Sequence, residues 1–96
     1  MDQPAHGLEF DWDPANVRHL ARHRIAPAEA EAVFRNQPVI VDHRVVGGEE
    51  RWTAVGVTNS LRVLVVVFTM RGMRIRPVTG WKADKRTQGI HFRGKE

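Results

Sequence analysis

The first part of the chain changes from the apolar period of a strand to that of a helix. Leu8, Phe10 and Trp12 alternate with acidic residues, which predicts a half-buried strand. Asp13 and Pro14 then form a helix start, because a carboxylate accepts free backbone N–H groups and a proline at the first helical position loses no hydrogen bond. The sequence therefore predicts a strand that leads directly into a first helix.

Two helices are predicted before residue 38. The first has apolar residues three and four positions apart and is expected to end near Arg24. Its apolar stripe comprises Val17, Leu20 and Ala21. The second helix begins at Pro27 and is terminated by Pro38, since proline cannot continue a helix. Its core-facing residues are Ala30, Val33 and Phe34.

The rest of the chain predicts further strands joined by short turns. They cover residues 39–44, 51–57, 62–69 and 73–79. The turns contain Gly47-Gly48, Asn59-Ser60 and Arg71-Gly72. Links this short imply antiparallel hairpins. The predicted fold class is therefore α+β, with two N-terminal helices packed on a four- to five-stranded antiparallel sheet and a short C-terminal helix.

Three features locate segments within this fold. Residues 63–68 are apolar on both faces of a strand, which predicts a position in the sheet centre with cover on each side. Pro77 cannot donate to a ladder, so the last strand should lie at an edge or next to a bulge. Residues 81–88 predict a short basic helix that Gly89 breaks, with residues 1–7 and 89–96 as frayed tails around a core of residues 8–88.

The composition fits one domain spanning residues 1–96. The chain is 42% hydrophobic and 27% charged, which suits a single packed core with an ordinary polar surface. It contains no cysteine, which excludes a disulfide framework and favours a reducing compartment. The longest apolar run is far shorter than the roughly 20 residues of a membrane span, and the N-terminus has no signal pattern. We therefore expect a cytoplasmic protein without a membrane partner.

Charge divides the chain unevenly. Residues 1–60 carry six arginines and nine carboxylates, a net charge of −3, whereas residues 61–96 carry nine Lys and Arg against two carboxylates, a net charge of +7. Such asymmetry is typical of proteins that bind nucleic acid or another acidic partner, and RNA is the partner we expect here. A solvated basic surface is the alternative interpretation.

Residues suited to phosphate follow one another in the basic part. Arg74 and Arg76 share one face of the last strand by its period of two, and Lys82, Lys85 and Arg86 come soon after. A guanidinium binds phosphate in a bidentate fork and stabilises charge that develops on a phosphoryl group. The same residues could instead be solvated charges that keep an edge strand from aggregating.

A second candidate set lies on the first helix. His19, Arg22 and His23 lie within about a turn of one another, and histidine moves protons near neutral pH. The i, i+4 spacing of the two histidines is also that of a zinc pair, but the glutamate of a HExxH motif and a third ligand are missing, so no metal site is predicted. Asn16 and His19 would equally fit the exposed side of an amphipathic helix.

The sequence leaves open the roles of one acidic pair and of the three tryptophans. Glu49-Glu50 before Arg51 offers a carboxylate that could act as a base, orient an arginine or form an ordinary surface ion pair. The tryptophans could stack on nucleic-acid bases. Two of them lie in predicted strands, where burial is favoured, whereas core and stacking roles are equally open for Trp81.

Several short motifs succeed one another from Phe10 to about Arg86. They are Phe10-Asp11-Trp12-Asp13, Arg22-His23, residues 30–34, Gly48-Glu49-Glu50-Arg51, residues 64–69 and Arg74-Ile75-Arg76. In order and spacing they resemble the BrnT-type ribonuclease toxins. The resemblance implies a RelE-like fold, in which two N-terminal helices pack against an antiparallel sheet that a C-terminal helix follows.

The resemblance also implies a function. It is that of a toxin in a type II toxin-antitoxin pair, which cleaves RNA and is neutralised by a cognate DNA-binding antitoxin, with a possible hetero-oligomer of the two on operator DNA. RNA supplies its own nucleophile, so we expect cleavage without a metal ion or another cofactor. The catalytic residues we assign are His23, Glu50, Arg74 and Arg76. The substrate-binding residues we assign are His19, Arg22, Thr79, Lys82, Lys85 and Arg86.

The sequence departs from the family pattern at two places, and these departures bear on the predicted activity. The usual Lys-His-Gly is Arg22-His23-Arg24 here, and a glycine that closes a helix in the left-handed conformation is worth up to about 1 kcal/mol. The usual Ser-Ala-Arg is Thr79-Gly80-Trp81, so an arginine is replaced by tryptophan. The alternative function is therefore a catalytically degenerate module of this fold, which binds antitoxin or nucleic acid without cleavage.

Overall fold

In a computed structural model that describes residues 7–94, three helices accompany one antiparallel sheet of four strands. The strands follow one another in the sheet in chain order, as successive hairpins predict. The elements are α1 (Pro14–Ala21), α2 (Pro27–Arg35), β1 (Val39–Val46), β2 (Glu49–Val57), β3 (Val63–Arg71), β4 (Arg74–Lys82) and α3 (Lys85–Gly94). The predicted α+β class is confirmed, with two N-terminal helices, a four-stranded antiparallel sheet and a short C-terminal helix.

The segment before α1 is not a full strand. Phe10 forms an isolated parallel bridge with Ile75, whose N–H donates to Glu9 O and whose carbonyl accepts from Asp11 N–H, both at 2.9 Å. The predicted first strand is therefore wrong in extent, because the chain turns into α1 at Pro14 before a ladder can grow. The bridge nevertheless sets two acidic residues beside β4, at the edge of the sheet.

Helix α1 begins and ends through identifiable backbone chemistry. The Asp13 carboxylate accepts from the N–H groups of Ala15 and Asn16, and the Asn16 side chain accepts from Asp13 N–H, which forms a capping box. After Ala21 the chain turns at Arg24, whose φ of +59° is left-handed, and Ile25 N–H donates back to Leu20 O. The helix thus ends near the predicted residue, and Arg24 has the left-handed backbone conformation that glycine adopts most easily.

Strand β3 lies inside the sheet, paired with β2 on one side and β4 on the other. Leu64 and Val66 pack on one face against α1 and α2, in a cluster with Leu20, Ile25, Ala30 and Val33. Val63 and Val65 pack on the other face with Val55 and with Ala83, which lies between β4 and α3. The predicted central position of this apolar strand, with cover on each side, is confirmed. We call these the helix-covered face and the open face, since α3 covers only part of the second.

Pro77 lies on the edge strand β4, opposite a register shift between Val67 and Phe68 of β3. It therefore sits both at an edge and at a bulge, as a residue without a backbone donor requires. The prediction from proline chemistry is confirmed.

The C-terminal helix differs from its predicted extent. Trp81 and Lys82 belong to β4, and α3 continues through Gly89 to Gly94. The predicted break at Gly89 is wrong: Asp84 caps the helix by accepting from Thr87 N–H at 2.8 Å, and α3 contacts β2, so the helix continues through a glycine that costs it roughly 1 kcal/mol. Residues 89–94 are thus helical, and the predicted tails at 1–6 and 95–96 lie outside the described residues.

Candidate functional site

Arginines from all four strands lie at one end of the open face, next to the β1–β2 and β3–β4 turns. Directly paired residues of neighbouring strands share a face. Arg44 pairs with Arg51, and Arg71 pairs with Arg74. Arg76 pairs with Thr69 in the next row of the same face. The sheet thus gathers five arginines at this end of the open face, and each of them forms an ion pair with a carboxylate.

A cleft of about 150 Å³ lies between α1 and this part of the sheet. Three of the arginines line it from β2, β3 and β4, while α1 contributes a histidine. We call it the arginine cleft and define it by Arg51, Arg71, Arg76, Glu49 and His19. It combines cationic groups, a carboxylate and a titratable ring, which is the set of functions that phosphoryl chemistry uses.

Glu49 holds two of the arginines in place. Its Oε2 accepts from Arg51 Nε and its Oε1 from Arg71 Nη2, each at 3.1 Å. Both carboxylate oxygens are therefore engaged by guanidinium groups. This arrangement fixes the two cations side by side and makes Glu49 a positioning group rather than an available base.

Arg76 is held by acidic residues that precede α1. Its side chain is 16% exposed, and its Nη1 lies 3.0 Å from Asp13 Oδ2 and 3.6 Å from Asp11 Oδ2. The hydrogen bond from Arg76, with help from the Asn16 backbone N–H, holds the pKa of Asp13 below its usual value. The guanidinium is thus pre-oriented toward the cleft by carboxylates with which an incoming phosphate must compete.

A buried asparagine attaches α1 to the sheet. Asn16 is only 3% exposed, and its Nδ2 donates to Pro77 O at 2.8 Å and to Asp11 O at 2.9 Å. An exposed position was one expectation for this residue, and that expectation is wrong. Because Asn16 fixes the first turn of α1 against β4, His19, one turn later, faces the arginine cleft.

The structure brings some of the predicted site residues together and separates others. His19 and Arg76 line the arginine cleft, and Arg74 lies beside it, 3.4 Å from Glu9. Thr79 is half-buried on β4, where it pairs with Val67. The remaining residues lie in other places.

Glu50 lies on the helix-covered side of β2, since strand alternation separates it from Glu49 and Arg51. Its Oε1 lies 3.0 Å from His43 Nε2, and its side chain is 60% exposed. Two groups lie exposed at other points of the fold. The turn after α1 carries Arg22 and His23, and the junction of β4 with α3 carries Lys82, Lys85 and Arg86.

Sequence reasoning did not assign three residues of the cleft, which are Glu49, Arg51 and Arg71. The period of two along β2 does put Glu49 and Arg51 on one side and Glu50 on the other. Which of the two sides remains open depends on where the helices pack, and a strand pattern does not contain that information.

A second cavity, of about 420 Å³, adjoins the cleft on the open face. Trp81 and Val67 form its apolar wall, and Asp42 and Arg44 approach it from β1. Arg51 lines both cavities, so they adjoin each other at this side chain, and we refer to the two together as the groove. We call the second cavity the tryptophan pocket and define it by Trp81, Val67, Thr53, Val46, Asp42 and Arg44.

Within residues 7–94, no three or more His, Cys, Asp or Glu side chains form a group that could hold a metal ion. None of the helices in the same range has the length and apolar character of a membrane span.

The fold and the groove define a small α+β protein with an arginine-lined cleft on one face of its sheet. The family described as the ribonuclease toxin BrnT of type II toxin-antitoxin systems matches residues 12–87, which is most of the chain. The chain belongs to this family, as its sequence motifs predicted. A ribonuclease toxin of this class has an RNA target and an antitoxin partner. A search of curated proteins finds no match to the chain.

Proposed function

We propose that this chain cleaves RNA in the arginine cleft without a metal ion, and that a cognate DNA-binding antitoxin neutralises it. The observation that carries the proposal is the convergence of Arg51, Arg71 and Arg76 with His19 in one cleft. A phosphodiester in this position would have three guanidinium groups around its oxygens and an imidazole within the same cavity.

The chemistry requires one base and a set of cations. His19 takes the proton of the ribose 2′-hydroxyl, and the 2′-oxygen attacks the adjacent phosphorus. The bond from phosphorus to the 5′-oxygen breaks, and that oxygen takes a proton from water, which leaves a 2′,3′-cyclic phosphate and a 5′-hydroxyl. His19 then returns its proton to the hydroxide that the water has become. Arg76 and its neighbours stabilise the charge on the crowded phosphate. Among the predicted bases, location favours His19 over His23 and Glu50, since His19 alone of these lines the cleft.

RNA binding would use the wider basic surface. Arg74, next to the cleft, and the cations at the start of α3 would contact phosphates on either side of the scissile one. Asp11 and Asp13 would have to release Arg76 as the phosphate enters. An antitoxin that covers the open face would block the same groups, and we extend the proposal to a toxin-antitoxin hetero-oligomer on operator DNA.

The alternative is a module that binds RNA or antitoxin without cleavage. Two observations favour it: Arg76 is already paired with carboxylates, and a tryptophan stands on the open face where the family usually has arginine. This module would hold RNA in a salt-dependent manner and leave it intact.

One experiment separates the two. Purified protein is incubated in EDTA with end-labelled single-stranded RNA, alone and with translating ribosomes, beside Arg76→Ala, His19→Ala and the matched control Arg93→Ala on α3. We expect 2′,3′-cyclic phosphate ends from the parent and the control, and a loss of about 100-fold or more in rate for Arg76→Ala that exceeds its loss of RNA affinity. Intact RNA under both conditions, or equal losses in rate and affinity, would establish the binding module instead.

A further inference from the structure

The tryptophan pocket adjoins the proposed catalytic cleft but takes no part in the chemistry derived above. Trp81 is 41% exposed there, although an aromatic side chain on a sheet normally gains most from burial. The pocket volume of about 420 Å³ falls within the range of small-molecule sites. Its position follows from the sheet register, because Trp81 pairs with Val65 and Thr53 pairs with Val67 on the same face.

We infer that this pocket binds one nucleobase of the RNA, stacked on the Trp81 indole, and selects a base that carries an exocyclic amino group. The inference rests on the proposed function for the identity of the ligand, and it adds the specificity of the site. It assigns a stacking role to Trp81 and an edge-reading role to Asp42.

Continuity with the arginine cleft supports a nucleobase as the occupant. Arg51 lines both cavities, so a phosphate held by Arg51 and Arg76 has its own nucleotide at the mouth of the tryptophan pocket. An apolar wall of Trp81 and Val67 suits the face of a base, and base–aromatic stacking is the usual contact in single-strand recognition.

The polar rim of the pocket supports selection by an amino group. Asp42 is the carboxylate that lines it, and its Oδ2 accepts from Arg44 Nε at 2.7 Å. The ion pair orients the carboxylate, whose oxygens can accept a hydrogen bond from an amino group on a base edge. A carbonyl oxygen in the same place, as in uracil, would face the carboxylate and be repelled.

The test compares short RNAs that cannot be cut. Fluorescein-labelled hexamers of cytidine, uridine and abasic nucleotides, each with 2′-O-methyl groups, are titrated with the full chain and followed by anisotropy. Cytosine and uracil have the same ring size and differ at the amino position. We expect the cytidine hexamer to bind about 5- to 10-fold more tightly than the uridine hexamer, which is the effect of one hydrogen bond.

Three variants divide the contributions. Trp81→Ala should weaken cytidine binding by about 10-fold and leave abasic binding unchanged, and Trp81→Phe should restore most of the loss. Asp42→Asn should reduce the preference for cytidine over uridine to within about twofold, because the amide can serve either base. Phe92→Ala, which removes an exposed aromatic side chain on α3, is the matched control and should change none of these values.

The outcomes also separate this inference from the proposed function. Equal binding of the three hexamers, or equal loss for cytidine and abasic RNA in Trp81→Ala, would overturn the base pocket even if the protein cleaves RNA. Base-dependent binding that Trp81→Ala abolishes, in a protein that cleaves nothing, would retain the pocket and reject the nuclease.

Discussion

Replacement of Asn16 by alanine tests the central contact between α1 and the sheet. Three hydrogen bonds disappear: Nδ2 to Pro77 O at 2.8 Å, Nδ2 to Asp11 O at 2.9 Å, and Asp13 N–H to Oδ1 at 2.8 Å. The first lies in the buried interior, whereas water can reach the other two groups more easily. At about 0.5–1.5 kcal/mol for each bond, with the upper value for the buried one, Asn16→Ala should cost about 2.5–4.5 kcal/mol of unfolding free energy.

The assay is urea denaturation at pH 7, with the midpoint compared at unchanged slope. Asn59→Ala is the matched control, since Asn59 is exposed and accepts a single hydrogen bond from Asn36, at 3.0 Å. It should cost less than about 1 kcal/mol. Asn16→Asp keeps the side-chain shape but sets a carboxylate oxygen against two carbonyls, so it should cost at least as much as alanine. Equal midpoints for Asn16→Ala and Asn59→Ala, or a tolerated aspartate, would refute the reasoning.

Three further predictions concern other parts of the fold. Arg24→Gly should stabilise the protein by about 0.5–1 kcal/mol, read as a higher urea midpoint, because residue 24 has a φ of +59°; an unchanged midpoint would contradict this. Gly80→Ala should cost about 1–3 kcal/mol, since its Cβ would lie 2.7 Å from Val65 O. Gly89→Ala within α3 should instead stabilise the protein by about 0.5–1 kcal/mol. Thermal melts in which Gly80→Ala is the more stable of the two variants would disprove this pair of predictions. The pKa of Asp13 is lowered in the folded state. The stability that its charge contributes is therefore present above its unfolded pKa of about 3.9 and is lost as the pH falls through its folded pKa. The difference in Tm between the parent and Asp13→Asn should therefore shrink from pH 7 to pH 3, and a constant difference would count against the Arg76 contact.

The sequence alone determined the order and class of the elements, because short-range chemistry carries that information. Asp13-Pro14 and Pro27 started the helices, and the apolar β3 run defined the sheet centre. Pro77 marked the edge and its bulge for the same kind of reason, since a missing N–H excludes interior pairing. Family membership followed from the order of these motifs.

Other features depended on contacts between distant residues. Strand periodicity separates Glu49 from Glu50, but only the packing of α1 and α2 on one face decides that Glu49 lies in the open groove and Glu50 does not. The continuation of α3 through Gly89 likewise depends on burial against the sheet, which outweighs local helix propensity. The site could be predicted as far as its residue types and its basic strand. Which residues line the site was decided by the tertiary structure, since a sheet face can form a site only where other elements leave it uncovered.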